Sequence, residues 1–377
     1  MKKLEDIEVL RAVAVLAVIW EHLDNLFPWQ YPALRQVYEY AGGTFGVDLF
    51  FCISGFVIAR DLVPRIQAAQ AHGQVWRVAM AFWVKRMWRL WPAAWLWLAL
   101  ILLLAYGFNE TGAFGSMKEN IRSTWAALFN FYNIRFGQCF MRCEMGASFV
   151  YWSLSLEEQF YLAFPILVIF LGKRLWILLT IAILFQLAST RSIWLMVFRS
   201  DAICLGVLIA LASHKPYWQA VRQFIENLPK AIPPLVLIGS IGLMTSLSGE
   251  LKWTTHPMSG ISLTSAILVL LAAHPRHTMM QPGPFQRLLV AIGARSYGIY
   301  LAHIPIFFLT REIFHRLKLN LPATASSVLI SMAVATVLLI ISVEIIYRYI
   351  ENPLRHIGAE KSRNWLNYAA KAPQQTA

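Results

Sequence analysis

Apolar residues in this chain come in runs near 20 residues long, such as Trp88 to Tyr106 and Ser326 to Ile346, and charge is confined to the stretches between them. A helix of that length crosses about 30 Å of hydrocarbon. Taking each apolar run bounded by charges, Pro or Gly as one span predicts helices near 8–26, 45–60, 88–106, 155–171, 174–188, 194–212, 232–248, 259–273, 289–309 and 325–348. The expectation is an all-α integral membrane protein with about ten transmembrane helices. Ile121 to Asn133 is too short and polar to cross fully, and a short re-entrant or interfacial helix is expected there.

Composition supports that solvent assignment. Of 377 residues, 58% are hydrophobic and 14% charged, against about 25% charged in soluble domains, and mean hydropathy is +0.54. The first apolar segment holds Arg11, Glu21 and His22 without a small-residue cleavage site after it, so it reads as a first span rather than a cleaved signal. A formal net charge of +13 would suggest nucleic acid in a soluble protein, whereas in a membrane protein the same excess belongs to cytoplasmic loops. Its distribution favours the loops. Lys2 and Lys3 precede the first span, the stretch Arg60 to Arg89 adds Arg65, Arg77, Lys85 and Arg86, and alternate loops hold Lys173/Arg174, His214 to Lys230, and Arg276/Arg287. Arg355, Lys361 and Arg363 follow the last span, while Arg311, Arg316 and Lys318 run against the rule. Both termini are therefore expected on the cytoplasmic side, with no nucleic-acid partner. The domain plan is a membrane-embedded unit over 1–355 and a polar cytoplasmic tail over 356–377, disordered at its Ala/Gln-rich end. Cys52 and Cys204 lie in apolar runs, and Cys139 and Cys143 in a polar loop, where they could close a small loop or stand as two free thiols. No metal site is expected from these residues.

Ionisable groups inside spans cost several kcal/mol, so each marks a candidate site. Arg11 and His22 are eleven residues apart, three helical turns plus about 20°, which puts them on one face roughly 16 Å apart. Arg11 could also snorkel to lipid phosphates. A neutral imidazole can take a hydroxyl proton or itself attack a thioester, which suits acyl transfer. Asp48, Cys52, Ser54 and Gly55 interrupt the next run, where Ser54-Gly55 could kink the helix, open a cavity, or pack closely against a neighbour. Arg86 and Arg89 share a helical face at a membrane boundary, suited to phosphate groups or to plain positive-inside anchoring. Glu157 and Glu158 are candidate carboxylates, although Ser155 three residues before Glu158 resembles a capping box. Arg199 and Asp201 would neutralise each other, and His303 lies mid-span. Trp29 and Trp253 in outer loops could stack on sugar rings.

Seven pieces occur in order: Arg11 with His22; Phe50-Phe51-Cys52-Ile53-Ser54-Gly55-Phe56; Arg86 with Arg89 and Pro92; Trp152-Ser153-Leu154 with Glu157-Glu158-Gln159-Phe160-Tyr161; Arg199-Ser200-Asp201 with Gly206; Ser296-Tyr297-Gly298-Ile299-Tyr300-Leu301 with His303 and Pro305; and Tyr349-Ile350-Glu351-Asn352-Pro353. In this the chain resembles the acyltransferase 3 family of polytopic membrane O-acyltransferases. The resemblance implies a bacterial cytoplasmic-membrane enzyme moving an acyl group, acetyl most commonly, from cytoplasmic acyl-CoA to a hydroxyl of a surface sugar, lipid-linked glycan or related acceptor. It implies His22 and Arg11 as the essential pair, Arg86 and Arg89 on the coenzyme A phosphates, and the segment around Ser54 lining the passage for the acyl group. On that basis Glu157 or Glu158 is expected to orient imidazole or acceptor, and Tyr297 and His303 are further candidates on the donor side. Many members carry a further soluble hydrolase-like domain, which has no counterpart within these 377 residues. A transporter or flippase would also place charges at mid-membrane, but no inverted repeat is visible. Homo-oligomerisation is left open.

Overall fold

Long apolar runs with few helix breakers fold as helices because a backbone away from water must bond within its own segment. The computed structural model describes residues 4–251, 254–274, 279–319 and 321–371, the last five by backbone alone. Lys2, Lys3, Trp253, Arg276 and the end of the tail at 372–377 lie outside the described residues. Among the described residues there are helices and no strand. In order they are α1 Glu5–Glu21, α2 Pro32–Tyr40, α3 Phe45–Gln70, α4 Val75–Gly107, α5 Met117–Leu128 and α6 Tyr132–Cys139. There follow α7 Tyr151–Leu171, α8 Leu175–Ala188, α9 Ile193–Val197, α10 Asp201–Ala212, α11 Trp218–Glu226 and α12 Ile232–Leu247. The last are α13 Pro257–Ala272, α14 Pro284–Ala294, α15 Ser296–Arg316, α16 Ala325–Ile346 and α17 Asn352–Lys371.

The expectation of ten spans is corrected. Among the described residues four stretches are long and apolar enough to cross a membrane, namely Val75–Gly107, Tyr151–Ala188, Ile193–Ala212 and Ala325–Leu366. The pairs α2 with α3, bent by 49°, and α14 with α15, bent by 74°, raise the number to at most six. The reason is rise per residue. α12 and α13 have 16 residues each, about 24 Å against the ~30 Å of a bilayer core, and the runs read over 155–171 and 174–188 join in the one stretch Tyr151–Ala188. The run read over 289–309 breaks at Arg295, between α14 and α15. The segment 121–133 is likewise not one helix. It spans the end of α5 and the start of α6, separated by Asn130 at φ 57°. Cys139 and Cys143 are joined in a disulfide at the end of α6.

α1, the element with the densest charge, is not a lipid-facing span but the centre of the molecule. Leu10, Ala12, Ala14 and Val15 are fully buried among α3, α13, α14 and α15, all of which pack on it. Close approach there requires residues without side chains. A Cβ on Gly46 of α3 would lie 2.3 Å from the Ala14 carbonyl oxygen, and one on Gly293 of α14 would lie 1.9 Å from that of Glu8. The α3–α10 contact is reciprocal: a Cβ on Gly55 would meet the Ile203 oxygen at 2.1 Å, and one on Gly206 the Cys52 oxygen at 2.0 Å. Of the readings open for Ser54-Gly55, the glycine serves packing and the serine faces the cavity described below.

Two ion pairs lock the same region. Arg199 does not pair with Asp201 as expected. It reaches Asp48 of α3 at 3.1 Å, while Asp201 takes Arg191 at 2.5 Å and a hydrogen bond from Ser262 Oγ at 2.8 Å. Both carboxylates are buried, so each cation offsets a charge that would otherwise be desolvated alone. The guanidinium of Arg199 also lies over the Trp152 ring, 5.1 Å from its centroid, tying the link before α10 to α7. α17 packs along α4, with Ser362 Oγ donating to the Ala81 carbonyl at 2.8 Å.

Candidate functional site

Polar residues four apart on an otherwise apolar helix share one face. On α7 these are Ser153, Glu157 and Tyr161, and they line a narrow cleft of about 80 Å³. α3 supplies Phe50, Phe51 and Ser54, α15 supplies Ser296, Tyr297 and Tyr300, α4 supplies Arg86 and Arg89, and α1 supplies Arg11. Six of the nine residues expected to carry function thus meet in one place: Arg11, Ser54, Arg86, Arg89, Glu157 and Tyr297.

Glu157 is the hub of the cleft. Ser54 Oγ and the Tyr161 hydroxyl both donate to its Oε1, joining α3 to α7. Arg86 lies over two rings, 5.2 Å from the Tyr161 centroid and 5.5 Å from that of Phe82. Arg11 is held by Glu8 at 3.0 Å. Among the described residues no carboxylate lies within ion-pair distance of Arg86 or Arg89, so two guanidiniums border the cleft with their forked donors uncommitted to an anion. That arrangement accepts phosphate or carboxylate oxygens readily. Tyr297 is anchored by donating to the Leu90 carbonyl at 2.8 Å. Tyr300 donates to the Val150 carbonyl at 2.9 Å, which leaves its oxygen to accept from Ser153 Oγ at 2.6 Å.

Three expected residues lie off the cleft. Glu158, on the adjacent face of α7, accepts from Trp91 Nε1 at 2.9 Å and borders a separate small space with Asn130 and Tyr151. Nor does Ser155 form a capping box with it, because α7 starts at Tyr151 and Ser155 Oγ instead accepts from the Tyr132 amide at 3.2 Å. His303 and His22 continue from the cleft as a row of rings. His303 lies 5.7 Å from Tyr300 and 5.3 Å from His22, centroid to centroid.

The hydrogen bonds of that row define the tautomers. His303 Nδ1 is 2.7 Å from the Tyr300 carbonyl and His22 Nδ1 is 2.9 Å from the Val18 carbonyl. A carbonyl only accepts, so in the neutral rings both Nδ1 atoms carry the proton. His303 Nε2 is then an acceptor, 3.4 Å from His22 Nδ1. His22 Nε2 is left with an in-plane lone pair and no protein partner among the described residues, on a half-buried ring. An imidazole so oriented can accept a proton or act as a nucleophile.

Tyr161, Ser153 and Tyr300 were not singled out from sequence as site residues. The i, i+4 spacing of Ser153, Glu157 and Tyr161 on one apolar helix was the readable signal. Tyr300 stands in the piece Ser296-Tyr297-Gly298-Ile299-Tyr300-Leu301, but its place in the cleft depends on the bend between α14 and α15.

The acyltransferase domain family, acyltransferase 3, matches residues 4–345, nearly the whole helical body. The chain belongs to that family. Its relatives include a peptidoglycan O-acetyltransferase, OatA, of Listeria monocytogenes, 28% identical over 95% of this chain and 56% of that protein. An O-acetyltransferase OatA of Staphylococcus aureus is 26% identical over 94% of this chain and 58% of its own length. A putative O-acetyltransferase of the same species is 27% identical over 97% and 59%. The chain thus spans a little over half the length of the curated relatives it matches. No solved structure matches it.

Proposed function

We propose that the protein is a multi-pass O-acyltransferase of a bacterial cytoplasmic membrane, moving an acetyl group from acetyl-CoA to a hydroxyl of a surface glycan. The observation that carries this reading is one continuous series of groups: Arg11, Arg86 and Arg89 at the cleft, the Ser54–Glu157–Tyr161 cluster within it, and the Tyr300–His303–His22 row leading on. The cleft holds the acyl end of the thioester, with the phosphates of the donor at Arg86 and Arg89, whose forked donors suit them. The basic loops and both termini are cytoplasmic in this reading, so the donor enters from the cytoplasm, as the positive-inside rule supports. A peptidoglycan sugar is the acceptor class favoured by the names of the relatives.

In the transfer step the acceptor oxygen attacks the thioester carbonyl while His22 Nε2 takes its proton. The C–S bond then breaks, and the departing thiolate recovers that proton from His22, leaving the ester and the free thiol. If Nε2 attacks first, the C–S bond breaks to give an acyl-imidazolium and a thiolate, and the acceptor oxygen then displaces the ring while its hydroxyl proton passes to the thiolate. His303 and the Val18 carbonyl hold the ring for either route. Purified protein in nanodiscs, given radiolabelled acetyl-CoA and a glycan acceptor, is expected to label the glycan with wild type and not with His22→Ala. Equal labelling by both would overturn the reading. Label retained on wild-type protein in a single turnover, and lost in His22→Ala, would select the acyl-imidazole route.

A further inference from the structure

The end of α1 remote from Arg11 adjoins a second cleft of about 400 Å³ that the transfer step leaves unused. It is formed by the 3-10 turn Leu23–Leu26 directly after His22, the extended link to α2, α2 itself, and Glu250 of the loop after α12. Its walls combine aromatic rings, Phe27, Trp29, Tyr31 and Tyr38, with Asp24, Glu250 and Arg35. The pocket is within the size range of small-ligand sites.

The cleft is preformed rather than a gap between mobile loops. The Glu250 amide donates to the Tyr38 carbonyl at 3.2 Å, the Leu251 amide to that of Glu39 at 2.9 Å, and the Gly42 amide to that of Thr245 at 3.0 Å. These bonds staple the loop after α12 along α2. A Cβ on Gly42 would lie 2.1 Å from the Ser248 oxygen, so the approach is backbone against backbone. The Tyr38 hydroxyl is spent on the Trp20 carbonyl at 2.7 Å, leaving only its ring to the cleft. Trp29 Nε1, by contrast, is a buried donor with no partner among the described residues. A native protein rarely leaves such a donor unpaired unless something else satisfies it.

We infer that this cleft binds the acceptor as a neutral saccharide, with the ring faces of Trp29 and Tyr31 against the apolar faces of the sugar and Asp24 and Glu250 accepting from its hydroxyls. Aromatic rings with a polar handle suit a ligand that is apolar on one face and hydroxylated at its edges. Two carboxylates against one guanidinium disfavour a phosphate or other anion. Asp24 stands two residues from His22, so the cleft lies at the His22 end of α1 while the donor is held at the other end of the same helix. The inference rests on the acyltransferase reading for its purpose but not for its test.

The test is equilibrium binding of radiolabelled N-acetylglucosamine tetrasaccharide and maltotetraose to the full chain in nanodiscs, without donor. Wild type is expected to bind one or both, and Trp29→Ala and Asp24→Asn to bind at least tenfold more weakly. Asp24 is exposed, so its variant reports on the cleft even if loss of the tryptophan disturbs the fold. No binding of either saccharide to wild type, or binding unchanged in Asp24→Asn, overturns the inference. Binding that behaves as expected while the complete system transfers no acyl group would sustain the cleft and sink the acyltransferase reading instead.

Discussion

Replacing Arg86 and Arg89 by alanine, singly and together, tests the donor end of the proposed series most directly. Both guanidiniums border the cleft and neither has a carboxylate within ion-pair distance among the described residues, so their removal breaks no direct ion pair, although Arg89 is the main charge offsetting the buried Glu351. A hydrogen bond to a charged group contributes about 1.5–3 kcal/mol, and each 1.4 kcal/mol is a factor of ten in affinity. Each single variant should therefore weaken coenzyme A binding by about 10-fold to 100-fold. The double variant should approach the product only if the two arginines hold separate oxygens, because groups sharing one phosphate do not add. Arg86 also packs over Phe82 and Tyr161, so Arg86→Lys should lose part of the effect and Arg86→Ala more. The assay is calorimetric or radioligand binding of coenzyme A to protein in nanodiscs, repeated with the form lacking the 3'-phosphate. Single variants that bind within twofold of wild type, with thermal unfolding unchanged, would refute the assignment and return both arginines to membrane anchoring.

Other expectations follow from the packing and the cysteines. Gly206→Leu should abolish folded protein in detergent size exclusion, since its Cβ would lie 2.0 Å from the Cys52 oxygen, whereas Gly242→Ala, with nothing within 4 Å, should unfold at an equal or higher temperature. His303→Leu should lower kcat at least tenfold with the donor KM little changed, because it removes the acceptor facing His22 Nδ1. His303→Asn, which keeps an acceptor, should recover part of the rate, and identical kcat values in both would remove His303 from any positioning role. Under denaturing conditions without reductant, mass spectrometry should find alkylation of Cys52 and Cys204 only, and of all four cysteines after reduction. Alkylation of Cys139 before reduction would contradict the disulfide.

The hydrophobic pattern by itself determined that the chain is helical and built for a bilayer, because run length and the absence of interruption are local properties that need no neighbour. Spacing likewise determined that Arg86 and Arg89 share a face and that Arg11 and His22 lie along one side of α1. What it could not determine was where a helix ends. The interruption at Arg295 is settled by partners rather than by composition, so the apolar run over 289–309 became two shorter pieces. Ion pairing was decided in three dimensions as well: Arg199 and Asp201 are two apart in sequence, yet each binds a residue on another stretch of chain. Adjacent Glu157 and Glu158 differ for the opposite reason. One residue of helix turns about 100°, which sends the first into the cleft with Ser54 and Tyr161 and the second to Trp91. The meeting of His22 with His303, 281 residues later, depends on the bend that brings α15 alongside α1, and no local pattern encodes that contact.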